Sequence, residues 1–224
     1  MLLREAFAVL AAILVAFSLD AWWDTRLERE AMFRALEAVE AETRENLVML
    51  ERTMAQDRGV VAGVALLATV DAEDIDGMPI EQVRMIAGLT MGITLDPGQG
   101  AIKAFTEGGH LTALATPSLS TSLAGLSARF EDLTEEVLGI IPASSVVLDA
   151  AIRSRDPRTV TTLNLAEDDV SLRAFIRDAA SSDEARYAAN SLSFLYEVYV
   201  SELDVLRDQL EALLVLIDAE QAGR

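Results

Sequence analysis

Apolar residues recur with a period close to 3.6 along almost the whole chain, and no stretch of four to eight residues alternates convincingly enough to be a strand. That pattern restricts the fold to helices. A helix with one apolar stripe must lay it against something, so long stripes require long helical neighbours. The expected fold is all-α, with an N-terminal transmembrane helix continuing into a long-helix antiparallel bundle.

The first stripe runs through Leu36, Val39, Thr43, Leu47, Leu50 and Met54, with Glu30 to Arg34 and Glu40 to Arg44 as i,i+4 pairs on the wet face. It reads as a rigid stalk. Gly59-Val-Val-Ala-Gly63 then opens an apolar stretch to Val70, which resembles a small-xxx-small dimerisation face but is too short to span a bilayer. A buried core helix with a close crossing is expected there. The acidic segment Asp71 to Met78 is a turn region, and Pro79 opens a short helix through Met91. Asp96-Pro97-Gly98 is a second break, before a helix ending at Gly108-Gly109.

Thr116 is placed to cap, and Pro117 to open, a helix with Leu119, Leu123, Leu126, Phe130, Leu133 and Val137 on its seam. Pro142 should kink or end it, leaving a second segment through Val147, Leu148 and Ile152 to Asp156-Pro157. After a loop over about 157 to 170, Ser171 to Ala180 makes a short helix. The last helix, from about Asp183 to Ala222, carries Leu192, Leu195, Tyr199, Leu203, Leu206, Leu210, Leu213 and Ile217 on one stripe. Leu192, Tyr199, Leu203, Leu206, Leu210 and Leu213 thus form either a core seam or a partner surface. The proline and glycine breaks favour a chain folded back on itself over a homodimeric coiled coil.

The N-terminus sets where such a bundle works. Ala6 to Leu19 runs fourteen residues without a charge, about 21 Å of helix. Extended from Leu2 to Trp23 it reaches roughly 33 Å, enough for a hydrocarbon core of about 30 Å if Arg4 snorkels to the headgroups. Trp22 and Trp23 then occupy the interfacial belt, so Trp22, Trp23 and Arg4 are the membrane-interface residues. A cleaved signal peptide is the rival, with Ala16-Phe17-Ser18 as the processing site. The single arginine beside Glu5 and the uninterrupted helical pattern beyond Trp23 favour an anchor. Residues 1–24 are assigned to a transmembrane anchor and 25–224 to an acidic helical-bundle domain. Counting basic residues slightly favours a cytoplasmic domain, whereas a short N-terminal tail before a large domain is the layout of a retained secretion anchor. The expected location is the bacterial inner membrane, with a periplasmic domain.

The charge of −19, from 37 acidic against 18 basic side chains, repels phosphate backbones and excludes nucleic acid as a partner. With no cysteine there is neither a thiolate nucleophile nor a cysteine metal site. His110 is the only histidine, which rules out a di-iron bundle of the usual form and leaves a turn or capping role behind two glycines. Gly98-Gln-Gly100 lacks the remaining elements of a phosphate loop. The acidic run Glu37, Glu40, Glu42 and Glu45 reads as a solvated helix face. Tyr187, Phe194, Tyr196 and Tyr199 are read as core packing and helix-surface anchoring. No catalytic, cofactor or metal site is expected.

Two stretches carry a resemblance. Ser18-Leu-Asp-Ala-Trp-Trp-Asp-Thr-Arg26, and Ala104-Phe-Thr-Glu-Gly-Gly-His-Leu111 followed by Thr116-Pro-Ser-Leu119 and Leu123, resemble a group of uncharacterised bacterial single-pass membrane proteins, a domain family of unknown function. The chain departs from that pattern at His110, where an acidic or polar residue is commoner. The resemblance implies an anchored helical domain and transfers no catalytic residue. The function expected is a non-catalytic, membrane-tethered interaction or scaffold module meeting the lipid bilayer and another envelope protein or itself. A sensory or ligand-binding bundle acting through a partner is the alternative.

Overall fold

A computed structural model gives the fold of residues 2–88, 95–153 and 169–223, with the side chains of 2–9, 11, 12, 151 and 153 outside the described set. Every described element is helical and none is a strand. The order is α1 (Leu2–Thr69), a 3-10 turn (Ala72–Asp74), α2 (Ile80–Ala87), α3 (Gly100–Glu107), a second 3-10 turn (His110–Ala113), α4 (Pro117–Arg153), α5 (Asp169–Ala180) and α6 (Asp183–Ala222).

The three long helices owe their packing to a stricter rhythm than an apolar stripe. In α1 the residues Met32, Leu36, Val39, Thr43, Asn46, Leu50, Thr53, Asp57, Val60, Val64 and Leu67 are all buried, in alternating steps of four and three. The same steps carry Leu119, Leu123, Leu126, Phe130 and Leu133 of α4, resuming at Ile140 and Val147. In α6 they carry Leu192, Tyr196, Tyr199, Leu203, Leu206, Leu210, Leu213 and Ile217. This is the knobs-into-holes spacing of helices that interlock along their length. Leu47, Val137 and Leu195, expected on the seams, lie at their half-buried margins, and Asn46 and Tyr196 are buried beside the first and last of these.

The chain divides into two compact units, one of residues 1–44, 98–127 and 212–224, the other of 45–97 and 128–211. In the first, Glu42 of α1 accepts hydrogen bonds from the Ala101 and Ile102 N–H groups, at 2.9 and 3.0 Å, and so caps α3, which buries Ile102 and Phe105. Glu40 binds Gln221 of α6 as well as Arg44 one turn along. In the second, α4 and α6 are antiparallel, because Arg129 pairs with Glu202 while Ser144 meets Tyr196. The small helix α2 packs on α5, burying Val83 and Ile86, and Arg173 of α5 donates to the Ile75 carbonyl at 2.6 Å. Gly63 permits the close crossing expected of its segment: a Cβ there would lie 2.1 Å from the Met85 carbonyl oxygen.

Several expectations are corrected. Of the two outcomes expected at Pro142, a kink or an end, the end is overturned, since α4 runs on through it to Arg153. Pro142 and Leu138 lie on the wet face, so the carbonyl that loses its N–H partner is open to solvent. The segment from Gly59 is part of α1, and from Met32 onward α1 is a wall of the core and no stalk. Glu30 takes Arg26 as its ion-pair partner at 3.0 Å, while Arg34 turns to the Glu30 carbonyl. Helix α5 begins at Asp169, ahead of Ser171. The expected extension to Met91 and the segment over 154–168 lie outside the described residues.

Among the described residues, no helix is long and apolar enough to cross a membrane. The side chains of Arg4 and of most of the first half of the expected anchor fall outside that set, while its backbone is helical from Leu2.

Candidate functional site

Among the residues singled out from the sequence, the Leu192 to Leu213 stripe is interior: Leu192, Tyr199, Leu203, Leu206, Leu210 and Leu213 are all buried. It is a core seam and leaves no open face to a partner. The aromatic set of α6 divides, Tyr196 and Tyr199 inside and Tyr187 and Phe194 exposed. His110 packs its ring 5.4 Å from that of Phe105 at the left-handed turn made by Gly109, whose φ is 76°. Among the described residues no group of three or more His, Asp or Glu side chains is placed to hold a metal ion.

Two places concentrate chemistry. The first belongs to the unit containing the N-terminal half of α1. Every described side chain from Ile13 to Arg29 is exposed, including Phe17, Leu19, Trp22, Trp23 and Leu27. Trp22 and Trp23 form a tilted pair with ring centroids 6.3 Å apart, and the Arg26 guanidinium lies 5.8 Å from the Trp22 ring centroid, a cation–π contact. Just past them a groove of about 700 Å³ opens between α1, the 113–116 segment and the end of α6. Its α1 wall carries Trp22, Arg26, Arg29 and Glu30, and Glu220 stands opposite.

Glu220 has a structural task. Its two oxygens accept the Ala115 and Thr116 N–H groups at 2.7 and 2.9 Å, so a carboxylate of α6 fastens the segment that leads into α4. Burial by itself would raise this carboxyl, but hydrogen bonds from the Thr116 hydroxyl and the two N–H groups, with Arg29 nearby, hold it below its ordinary value. The Thr116 hydroxyl, expected to cap α4, is hydrogen-bonded to this carboxylate. Glu42 caps α3 through the N–H groups of its first turn, and Glu40 is held low by its bonds from Arg44 and Gln221. The run taken as a solvated face thus fixes two parts of the fold. Beyond the Glu40 to Arg44 pair, no local spacing marks these contacts, because the remaining partners are 59 to 181 residues away.

The second place is Asp57, in the other unit. It is wholly buried on the α1 seam, and neither carboxylate oxygen has a hydrogen-bond partner among the described residues. Gln99 and Arg129 each bury one orphan atom, but only Asp57 has its whole polar group unsatisfied. Burial pushes the Asp57 carboxyl up to about 7. Burial and then the Asp57 charge raise Tyr196, and burial likewise raises Tyr199, whose hydroxyl accepts the Leu95 N–H at 3.2 Å. The sequence did hold the signal for Asp57: a carboxylate at a seam position, three residues after Met54 and three before Val60.

No protein-family model matches the chain, and neither a curated protein nor a solved structure matches it.

Proposed function

We propose that this protein is a membrane-tethered, non-catalytic helical module of the bacterial cell envelope, whose bundle is presented on the periplasmic side to a protein partner or to a second copy. The single observation behind the reading is the exposed apolar stretch of α1, where the side chains of Leu14, Val15, Phe17, Leu19, Trp22 and Trp23 are covered by nothing in the described chain. It joins the apolar composition of residues 2–12 in the sequence, and the same helix continues into the bundle core. A side-chain pattern of this kind is costly in water and favourable in lipid, with the tryptophans and Arg26 at the boundary. The resemblance to anchored helical proteins of unknown function points the same way.

Carbonate washing of membranes tests the tether. The full chain is expected in the pellet, and Leu14→Asp with Val15→Asp, at about 3 kcal/mol each for a charge at the centre of a span, is expected to shift it to the supernatant. Full-length protein found soluble would refute the proposal. Purification in mild detergent then reads the partner, as a co-purifying protein or a dimer.

A sensory bundle is the second reading. It is favoured by Asp57, a carboxylate buried in the α1 seam with no hydrogen-bond partner among the described residues.

A further inference from the structure

We propose that Asp57 works as a proton-operated latch: protonated, it leaves the seam between α1 and α6 closed around it, and on losing its proton it opens that seam locally. The proposal does not depend on the membrane tether.

Asp57 is wholly buried, and both of its oxygens lack a hydrogen-bond partner among the described residues. A neutral carboxyl in that position forgoes a hydrogen bond. An ionised one must also give up the hydration of its charge with nothing to replace it. The closed seam therefore suits the neutral form, whereas the charged form requires donors that the closed seam does not bring within reach.

The surroundings show where the change falls. Tyr196 and Tyr199 of α6 are buried and feel the Asp57 charge through space. Both phenols are tied elsewhere, Tyr199 to the Leu95 N–H and Tyr196 to Ser144 of α4. The seam neighbours Thr53, Met54 and Val60 on α1 carry no charge, and Arg52 and Arg58 are exposed. Asp96 beside Leu95 and Glu197 beside the tyrosines are exposed as well. Arg129 of α4 pairs with Glu202, α2 leaves Glu81 and Arg84 exposed, and Arg173 and Arg177 of α5 are engaged by the Ile75 carbonyl and Asp76. Among the described residues no cation is set against Asp57. Once ionised, it gains partners from water, which parts the seam, or from a phenol that leaves Leu95 or Ser144 to reach it. Burial holds the carboxyl at about 7, so the latch is closed below that value and opens above it. The tyrosines, raised above their ordinary 10 chiefly by burial, stay neutral across this range.

Amide hydrogen exchange of the full-length protein in mild detergent reads the opening, at pH 5.5 and pH 8, with rates corrected for the intrinsic effect of pH. Opening of residues 53–61 and 192–203 is expected to rise at least about tenfold at pH 8, since the proton is held to about 7 in the closed seam and to the ordinary 3.8 in the open one. Low urea should leave the rise unchanged, because a local opening exposes little surface. Asp57→Asn keeps the shape without the charge and should hold both segments at their pH 5.5 level. Exchange that is the same at both pH values in the parent overturns the latch, and so does a rise retained in Asp57→Asn. A rise that steepens with urea also overturns it, because the opening is then unfolding of the whole unit. The pH and urea comparisons need only the parent protein.

Discussion

At the scale of single residues, Asp57 is where local chemistry and fold disagree most. A carboxylate with an ordinary value of 3.8 is held at about 7 because burial disfavours its charged form and no partner offsets that cost. The unfolded chain therefore gives up this proton far below the folded one. Stability from this group is complete below about 3.8, falls as pH rises, and is fully lost above about 7. The shift corresponds to roughly 4 kcal/mol. Denaturant melts of the parent should show a stability that declines from pH 5 to pH 8, and Asp57→Asn should remove most of that slope and be the more stable protein at pH 8. A chain of charge −19 also relaxes as its surface acids protonate, so the difference between parent and variant is the measurement that isolates Asp57. An unchanged slope in the variant would place the titration elsewhere.

Among the elements, the short helix α3 and the start of α4 are held by carboxylates from other helices. Gln99, at the cap position of α3, makes no side-chain cap, and Glu42 takes the role. Glu220 fastens the segment just before α4, through the Ala115 and Thr116 N–H groups. Exchanging one oxygen for an amide leaves an N–H facing an N–H, so Glu42→Gln and Glu220→Gln should each cost about 1–2 kcal/mol, within the range of a lost cap. Amide hydrogen exchange should localise the loss to residues near 101–102 and 115–116. Glu220 is held below 4.5, so its contribution is present above that value and disappears as pH falls through the lower, folded one. An alanine at the Glu45 position of the same acidic run serves as the control that should cost little.

On the scale of the whole molecule, three long seams carry the stability. Leu206 and Leu210 are fully buried within one unit, with Arg207 and Glu211 beside them on the wetter side of α6. Leu206→Ala and Leu210→Ala should each cost about 2–5 kcal/mol, a large part of the roughly 5–15 kcal/mol that holds a domain, while Arg207→Ala and Glu211→Ala should stay within about 0.5. Thermal melts of the detergent-solubilised chain read the difference, and a leucine variant that melts normally but dissociates a dimer would move the seam to an interface. Periodicity alone made the helical class, the span of α6 from Asp183 to Ala222, the opening of α4 at Pro117 and the break at Gly108-Gly109 legible, since each depends on neighbours within a turn or two of chain. It also marked a close crossing at Gly63, though not that Met85 is what crosses. Everything that depends on distant partners was decided by tertiary structure: the survival of α4 through Pro142, the bonds that Glu42 and Glu220 make to distant N–H groups, and the isolation of Asp57. The reason is physical, because a helix stripe states only that a face will be buried, whereas the free energy of a charge or a hydrogen bond is set by which groups meet it there.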